Sequence, residues 1–306
     1  MALGSLQVGQ SAPREGGASV LARARERASL IPDLLVEASR VATTVTLGWH
    51  GRRRRGVGDD FWQFRPYDPS EGMSRIDWRR SARDDTTFVR DQEWEAAHTV
   101  WVWADESPSM LFKSQGAQVS KQSRAIVLAL ALTEVLAKSG ERVGWPGVTR
   151  PLAARNAAER VATALALAPA QARAPVDDLR TRNEIVLFSD FLDDTDMLGR
   201  RLDDLANRGV NGSLVQIIDP AEEVFPYSGR TQFRDPETGA KLILGRAETL
   251  AGDYAAAFAE HKRTIRDMTR ARGWNHVVHH TDRLASEALV SLHMRLSDGG
   301  ARAGMG

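Results

Sequence analysis

A chain of 306 residues with 42% hydrophobic content can bury one large core, or a main domain with a smaller companion, without any covalent staple. It has no cysteine, which excludes disulfides, thiolate metal sites and cysteine nucleophiles. Its 41 Lys and Arg against 40 Asp and Glu leave a net charge of +1, so no global field draws it to nucleic acid or to an acidic membrane.

Residues 1–17 are rich in Gly, Ser and Pro and predict a disordered arm. They lack the basic-then-apolar order of a secretory signal. No later stretch reaches the ~18 uninterrupted apolar residues of a membrane span, so a soluble, cytoplasmic protein is expected. A helical segment follows over 18–47, where Leu30, Leu34, Leu35, Ala38 and Val41 recur at helical spacing. Pro32 interrupts it, predicting two pieces or one bent helix.

Over 48–97 the texture turns aromatic and charged, with FWQFRPY and TTFVRDQ as short strands of a small β-rich subdomain. From 98 to 296 strands and helices alternate. HTVWVWAD reads as a strand buried on both faces. It is followed by a helix from Val119 to Lys138 stopped by Gly140, the strand ERVGWPG, and a helix from Asn156 to Ala168. Next come the strand EIVLFSD, a helix with Leu198, Leu202 and Leu205 on one face, and the strand SLVQIID. A hairpin at TQFRDPETGAKLILG, turning at ETG, precedes a long helix from about Glu248 to Arg272. The strand WNHVVHH, a helix near Arg283 to Leu296 and a disordered tail over 297–306 complete the chain. This order predicts an α/β fold with a mostly parallel sheet and helices on both faces.

In such sheets ligands bind beyond the carboxyl ends of the strands, where strand order reverses. Asp105, Asp190 and Asp219 each end a predicted strand. The first continues as DESPSM, so Asp105, Ser107 and Ser109 alternate along one loop. One carboxylate and two hydroxyls form an all-oxygen set suited to Mg²⁺, which keeps open positions for water or an incoming ligand. Asp190 is the natural fourth contributor. The alternative is that these residues only cap helices, since Asp and Ser are favoured N-caps.

The D-x-S-x-S loop and the later strand-terminal aspartate, set in this alternation, resemble the metal-ion-dependent adhesion site of von Willebrand factor A domains. The resemblance implies a Rossmann-type, von Willebrand factor A-like sheet and a bound Mg²⁺ or Mn²⁺. It also implies a threonine ligand from a second loop, for which Thr149 is the candidate; without it the site would be empty or purely structural. A second, longer motif precedes this region. Gly56, Gly58, Asp60, Phe61, Arg65, Tyr67, Ile76, Asp77, Trp78, Ser81, Ala82 and Arg83 resemble the signature of the bacterial family called domain of unknown function 58. Ser70, Glu71 and Ser74 depart from it, standing where that family has a Gly-Asp pair and an arginine. Members commonly accompany MoxR-type AAA+ ATPases, which implies such an ATPase as partner.

Read from their chemistry, Asp77 and Arg83 can pair, Trp78 can bury against the sheet, and Arg65 with Tyr67 can line one surface. Arg65, Tyr67, Asp77, Arg79 and Arg83 are therefore the partner-binding candidates, against the alternative that they only hold a junction together. The arginine run Arg52 to Arg55 is a solvated loop or docks on an acidic partner, since Asp59 and Asp60 follow it; nucleic acid is the less favoured reading. His276 and His280 share a strand face while His279 points away, an edge-strand cluster rather than a metal site. The expectation is a non-catalytic, metal-assisted protein-binding module. A Mg²⁺-dependent phosphohydrolase is the alternative, and lacks a nameable nucleophile or base.

Overall fold

The computed structural model describes residues 17–49, 61–68, 73, 76–82, 86–92 and 98–303. The chain forms two compact units, residues 49–97 and the remainder.

In the smaller unit β1 (Phe61–Pro66) pairs antiparallel with β2 (Phe88–Gln92), as the aromatic runs predict. Between them lies one turn of helix, α2 (Trp78–Ser81). Ile76 bridges Val89 and is buried, whereas Trp78 is 63% exposed. The expected burial of Trp78 is thus corrected: the inward position belongs to Ile76, and Trp78 opens the helix two residues later, turned toward solvent.

The larger unit begins with α1 (Gly17–Trp49), a single helix that runs through Pro32. Pro32 is exposed, so its ring leaves the packed stripe undisturbed. That stripe is Ile31, Ala38, Ala42 and Val45, while Leu30, expected to face inward, is exposed. Ser39 donates to Glu134 at 2.7 Å and ties the helix to the rest of this unit.

Its six-stranded sheet has the order β10-β7-β6-β3-β4-β5. The strands are β3 (Thr99–Ala104), β4 (Arg142–Trp145), β5 (Thr149–Leu152), β6 (Glu184–Ser189), β7 (Asn211–Ile218) and β10 (Asn275–His280). All pairings are parallel except β4 with β5, an edge strand the sequence reading missed. The central strands are continuous apolar runs because both faces are covered. α3 (Lys121–Lys138), capped by Ser120 and buried along most of its length, packs on the sheet with α4 (Ala157–Leu167) and α8 (Ala285–Ala303) beside it. The crossovers from β3 to β4 and from β6 to β7 run in opposite directions. Right-handed connections therefore place α5 (Thr195–Asn207) on the face opposite α3, where α7 (Ala251–Ala271) packs against it.

A short helix, α6 (Pro220–Val224), and a hairpin of β8 (Thr231–Arg234) and β9 (Lys241–Leu244) lie between β7 and α7. The last helix runs to Ala303, past the start of the tail expected over 297–306. Among the described residues no helix is long and apolar enough to cross a membrane.

Candidate functional site at the strand-order reversal

Strand order reverses between β3 and β6, and the acids that follow them sit side by side: Asp105 N donates to Phe188 O at 2.8 Å. Asp105, Asp190 and Asp219 are all buried. Each is held differently.

Asp105 accepts from the Ser107 amide at 2.8 Å on one oxygen and from the Ser189 hydroxyl at 2.6 Å on the other. Burial pushes its carboxyl up to about 6, and the charge of Asp190 adds to this, while the hydrogen bonds from Ser189 and Ser107 oppose it. No ion pair to Asp105 forms among the described residues. Ser107 precedes the 3-10 turn Pro108–Leu111 but its side chain makes no capping bond. Its hydroxyl lies 3.2 Å from that of Ser109. Capping of α3 falls to Ser120 and of α5 to Asp194, so the helix-cap alternative does not account for Asp105, Ser107 or Ser109.

Asp190 is committed elsewhere. One oxygen accepts from the Leu192 amide at 3.2 Å and the other meets the ammonium of Lys121 at 2.8 Å. Lys121 is fully buried and also reaches Glu222 at 2.5 Å. Burial alone would pull the Lys121 amine down, but Asp190 and Glu222 more than reverse this and hold it above the usual lysine range. Glu222 belongs to a capping box: Asp219 accepts from Ala221 N, and Glu222 accepts from Asp219 N at 2.9 Å. The other oxygen of Asp219 accepts from Ser114 N at 2.9 Å. Phe191, next to Asp190, has φ 54, a left-handed backbone that a buried phenylalanine adopts only where its surroundings impose it. Its carbonyl contacts the His261 ring at 2.8 Å.

A cavity of about 40 Å³ opens beside Asp105, walled by Trp103, Leu187, Ser189, Phe191 and Arg201. That is room for a few waters.

The predicted loop residues are therefore brought together, and Asp190 lies beside them with its charge already matched. The Thr149 hydroxyl accepts from Trp145 N at 3.1 Å within its own turn and makes no hydrogen bond to the Asp105 loop. Among the described residues no group of three or more His, Cys, Asp or Glu side chains suits a metal; the candidate set is one carboxylate and two hydroxyls. These oxygens fit a hard divalent ion. Octahedral ligands at 2.0–2.1 Å stand roughly 3.0 Å apart along an edge, close to the Ser107–Ser109 separation.

In the smaller unit Asp77 caps α2, accepting from Arg80 N at 3.0 Å, and its backbone amide donates to Phe88 O at 2.9 Å. The Tyr67 amide donates to Thr87 O at 2.7 Å, and Arg79 is exposed. Arg65 lies on β1 opposite Val89. Arg83 and the arginine run Arg52 to Arg55 lie outside the described residues.

The sequence reading missed Ser189, Lys121, Glu222 and Glu237. Asp219 followed three residues later by Glu222 is a capping-box signature and was legible. Lys121 heading an apolar helix was a weaker signal. Glu237, whose carboxylate accepts from Ser109 N at 3.0 Å, gave none.

The chain is thus an α/β domain with a mostly parallel sheet and buried acids gathered at its strand-order reversal, the place where open sheets of this kind bind ligands. The chain belongs to the family described as protein of unknown function DUF58, whose model matches residues 63–264. An uncharacterized protein of Mycobacterium bovis is 26% identical over 237 residues, covering 71% of this chain and 73% of its own length. Uncharacterized proteins of two Mycobacterium tuberculosis strains match to the same extent. Among solved structures, the conserved hypothetical protein BatB of Bacteroides thetaiotaomicron is 16% identical, with TM-score 0.39, over 66% of this chain and all of its own. An aerotolerance-related membrane protein of Bacteroides fragilis is 13% identical, with TM-score 0.35 and the same coverage.

Proposed function

We propose that this chain is a non-catalytic protein-binding module of the von Willebrand factor A type, in which Asp105, Ser107 and Ser109 hold Mg²⁺ or Mn²⁺ at the partner-binding surface. The observation that carries this reading is the convergence of two hydroxyls, 3.2 Å apart and unused as caps, beside a buried carboxylate that makes no salt bridge among the described residues, Arg201 acting on it only from across the cavity. When bound, the ion supplies an open coordination position for a partner's carboxylate. The loop's own work is orientation: the Ser107 amide and Ser189 hydroxyl fix the Asp105 carboxylate, and Pro108 opens the turn that brings Ser109 back toward Ser107. Asp190 and Lys121 support the floor of the site. A MoxR-type AAA+ ATPase is the partner that the family resemblance favours.

The state of the reactive groups supports the non-catalytic reading. The buried amine is locked as an ammonium between two carboxylates, which leaves it unfit as a base or nucleophile. Calorimetric titration with Mn²⁺ tests the site: wild type is expected to bind, and Asp105→Ala and the double change Ser107→Ala, Ser109→Ala to lose the ion without unfolding. Equal affinity in all three would place the ion elsewhere or nowhere.

A further inference from the structure

Ser109 is touched by a residue far away in the chain, Glu237 at the tip of the β8–β9 hairpin. The tip is built to present it. Asp235 accepts from the Glu237 amide at 2.9 Å and from the Thr238 hydroxyl, and the Asp235 carbonyl accepts from Gly239 N at 2.8 Å. Gly239 has φ 74, the left-handed backbone that closes such a turn without a side-chain penalty. The strand that leads into the tip is anchored as firmly. Phe233 stacks on Phe225 with centroids 5.6 Å apart and meets Tyr227 edge-on at 5.2 Å, and Phe225 in turn packs against Tyr254 of α7 at 4.7 Å. A stiff turn on an aromatic root thus delivers one carboxylate to the backbone of the residue whose hydroxyl closes the oxygen set. Glu237 is exposed, and its second oxygen has no hydrogen-bond partner among the described residues.

We infer that Glu237 is the site's internal carboxylate: without a partner it takes the place that an incoming acidic side chain would occupy, and the hairpin must leave Ser109 before a partner engages. This rests on the reading of Asp105, Ser107 and Ser109 as a divalent-ion site. The hairpin would then make that site selective, since only a partner that outcompetes Glu237 gains entry. The part that must yield is the turn at Glu237, since Phe233 stays rooted on Phe225 and Tyr227.

The test uses Tb³⁺ as a luminescent stand-in for a hard ion in the full chain, with lifetimes in H₂O and D₂O counting bound waters. Glu237→Gln is expected to bind it about tenfold more weakly and with about one additional water, because a charged oxygen donor has been removed. Asp235→Ala, which keeps Glu237 but loosens its turn, should move both readouts the same way by less. In the metal-free protein, amide exchange at Ser109 should quicken in Glu237→Gln. If Asp105→Ala loses Tb³⁺ while wild type and Glu237→Gln share one affinity and one hydration number, the role of Glu237 is refuted and the ion site stands. If Asp105→Ala keeps Tb³⁺ unchanged, the site and the internal ligand fall together.

Discussion

Replacing Lys121 with methionine keeps an unbranched apolar stem of similar volume and removes only the ammonium that lies 2.8 Å from Asp190 and 2.5 Å from Glu222. Two buried carboxylates then lose their shared counter-charge. Breaking a buried pair by removing one partner costs about 3–5 kcal/mol, and the near-complete burial of Lys121 and Asp190 leaves little solvent screening to reduce it. At roughly 2–4 °C per kcal/mol for a domain of this size, melting should fall by about 6–20 °C. The pH dependence gives a second readout. Burial already raises the Glu222 carboxyl, and the variant deletes the opposing pull of Lys121. Folded Glu222 then binds its proton more tightly than the unfolded chain does, so the variant gains stability as pH falls from about 7 toward the ordinary value of 4.5. The gap to wild type should narrow on acidification. Adding Asp190→Asn and Glu222→Gln should recover much of the loss at neutral pH. Urea unfolding followed by circular dichroism at about pH 7 and pH 5 measures all of this. A methionine variant within about 1 kcal/mol of wild type at both pH values would show that the ammonium does not hold these strand ends together.

Glu184 is pushed up to about 7, chiefly by burial and also by Glu141, so its folded form holds a proton that the unfolded chain has released above 4.5. Wild-type stability should therefore decline as pH rises through this window, and Glu184→Gln should flatten that decline and gain about 2–3 kcal/mol near pH 8; a variant with the wild-type pH profile would contradict it. A Cβ placed on Gly212 would stand 2.2 Å from the ring of buried Trp274, so Gly212→Ala should cost about 1–3 kcal/mol by overpacking, read as a fall in the urea midpoint, and an unchanged midpoint would mean the indole yields freely.

The fold was legible because its elements announce themselves by texture. TVWVWA, EIVLFS and SLVQII are apolar runs too short for helices, and each ends at Asp or Ser-Asp, so strand and strand end could be placed together. β5 was not legible, since TRPL carries a proline and only four residues, a pattern compatible with an edge strand or a loop. Pro32 misled in the other direction: a proline on the solvent side of a long helix leaves the buried stripe intact, and sequence alone does not say which side it takes. Within the site, Asp105, Ser107 and Ser109 could be named because they are adjacent in sequence. Lys121, Glu222 and Glu237 reach it through side chains whose partners lie 69, 101 and 128 residues away, distances over which no local pattern carries information.

Those distant residues explain how the acids at the strand ends can coexist. β3 and β6 are neighbours, so Asp105 and Asp190 lie close enough for the charge of one to raise the proton affinity of the other. A single cation between them would have served both. Instead Lys121 approaches from the head of α3 and meets Asp190 together with Glu222, on the side toward β7 and α6. Asp105 receives hydrogen bonds from Ser107 and Ser189 but no cation within ion-pair distance among the described residues. The carboxylate left without a salt bridge among the described residues is thereby the one on the loop that carries the two hydroxyls. Lysine and the proposed ion are then complementary rather than competing: the lysine fixes the floor permanently, and what remains above it is an oxygen-lined position whose charge can be matched from outside.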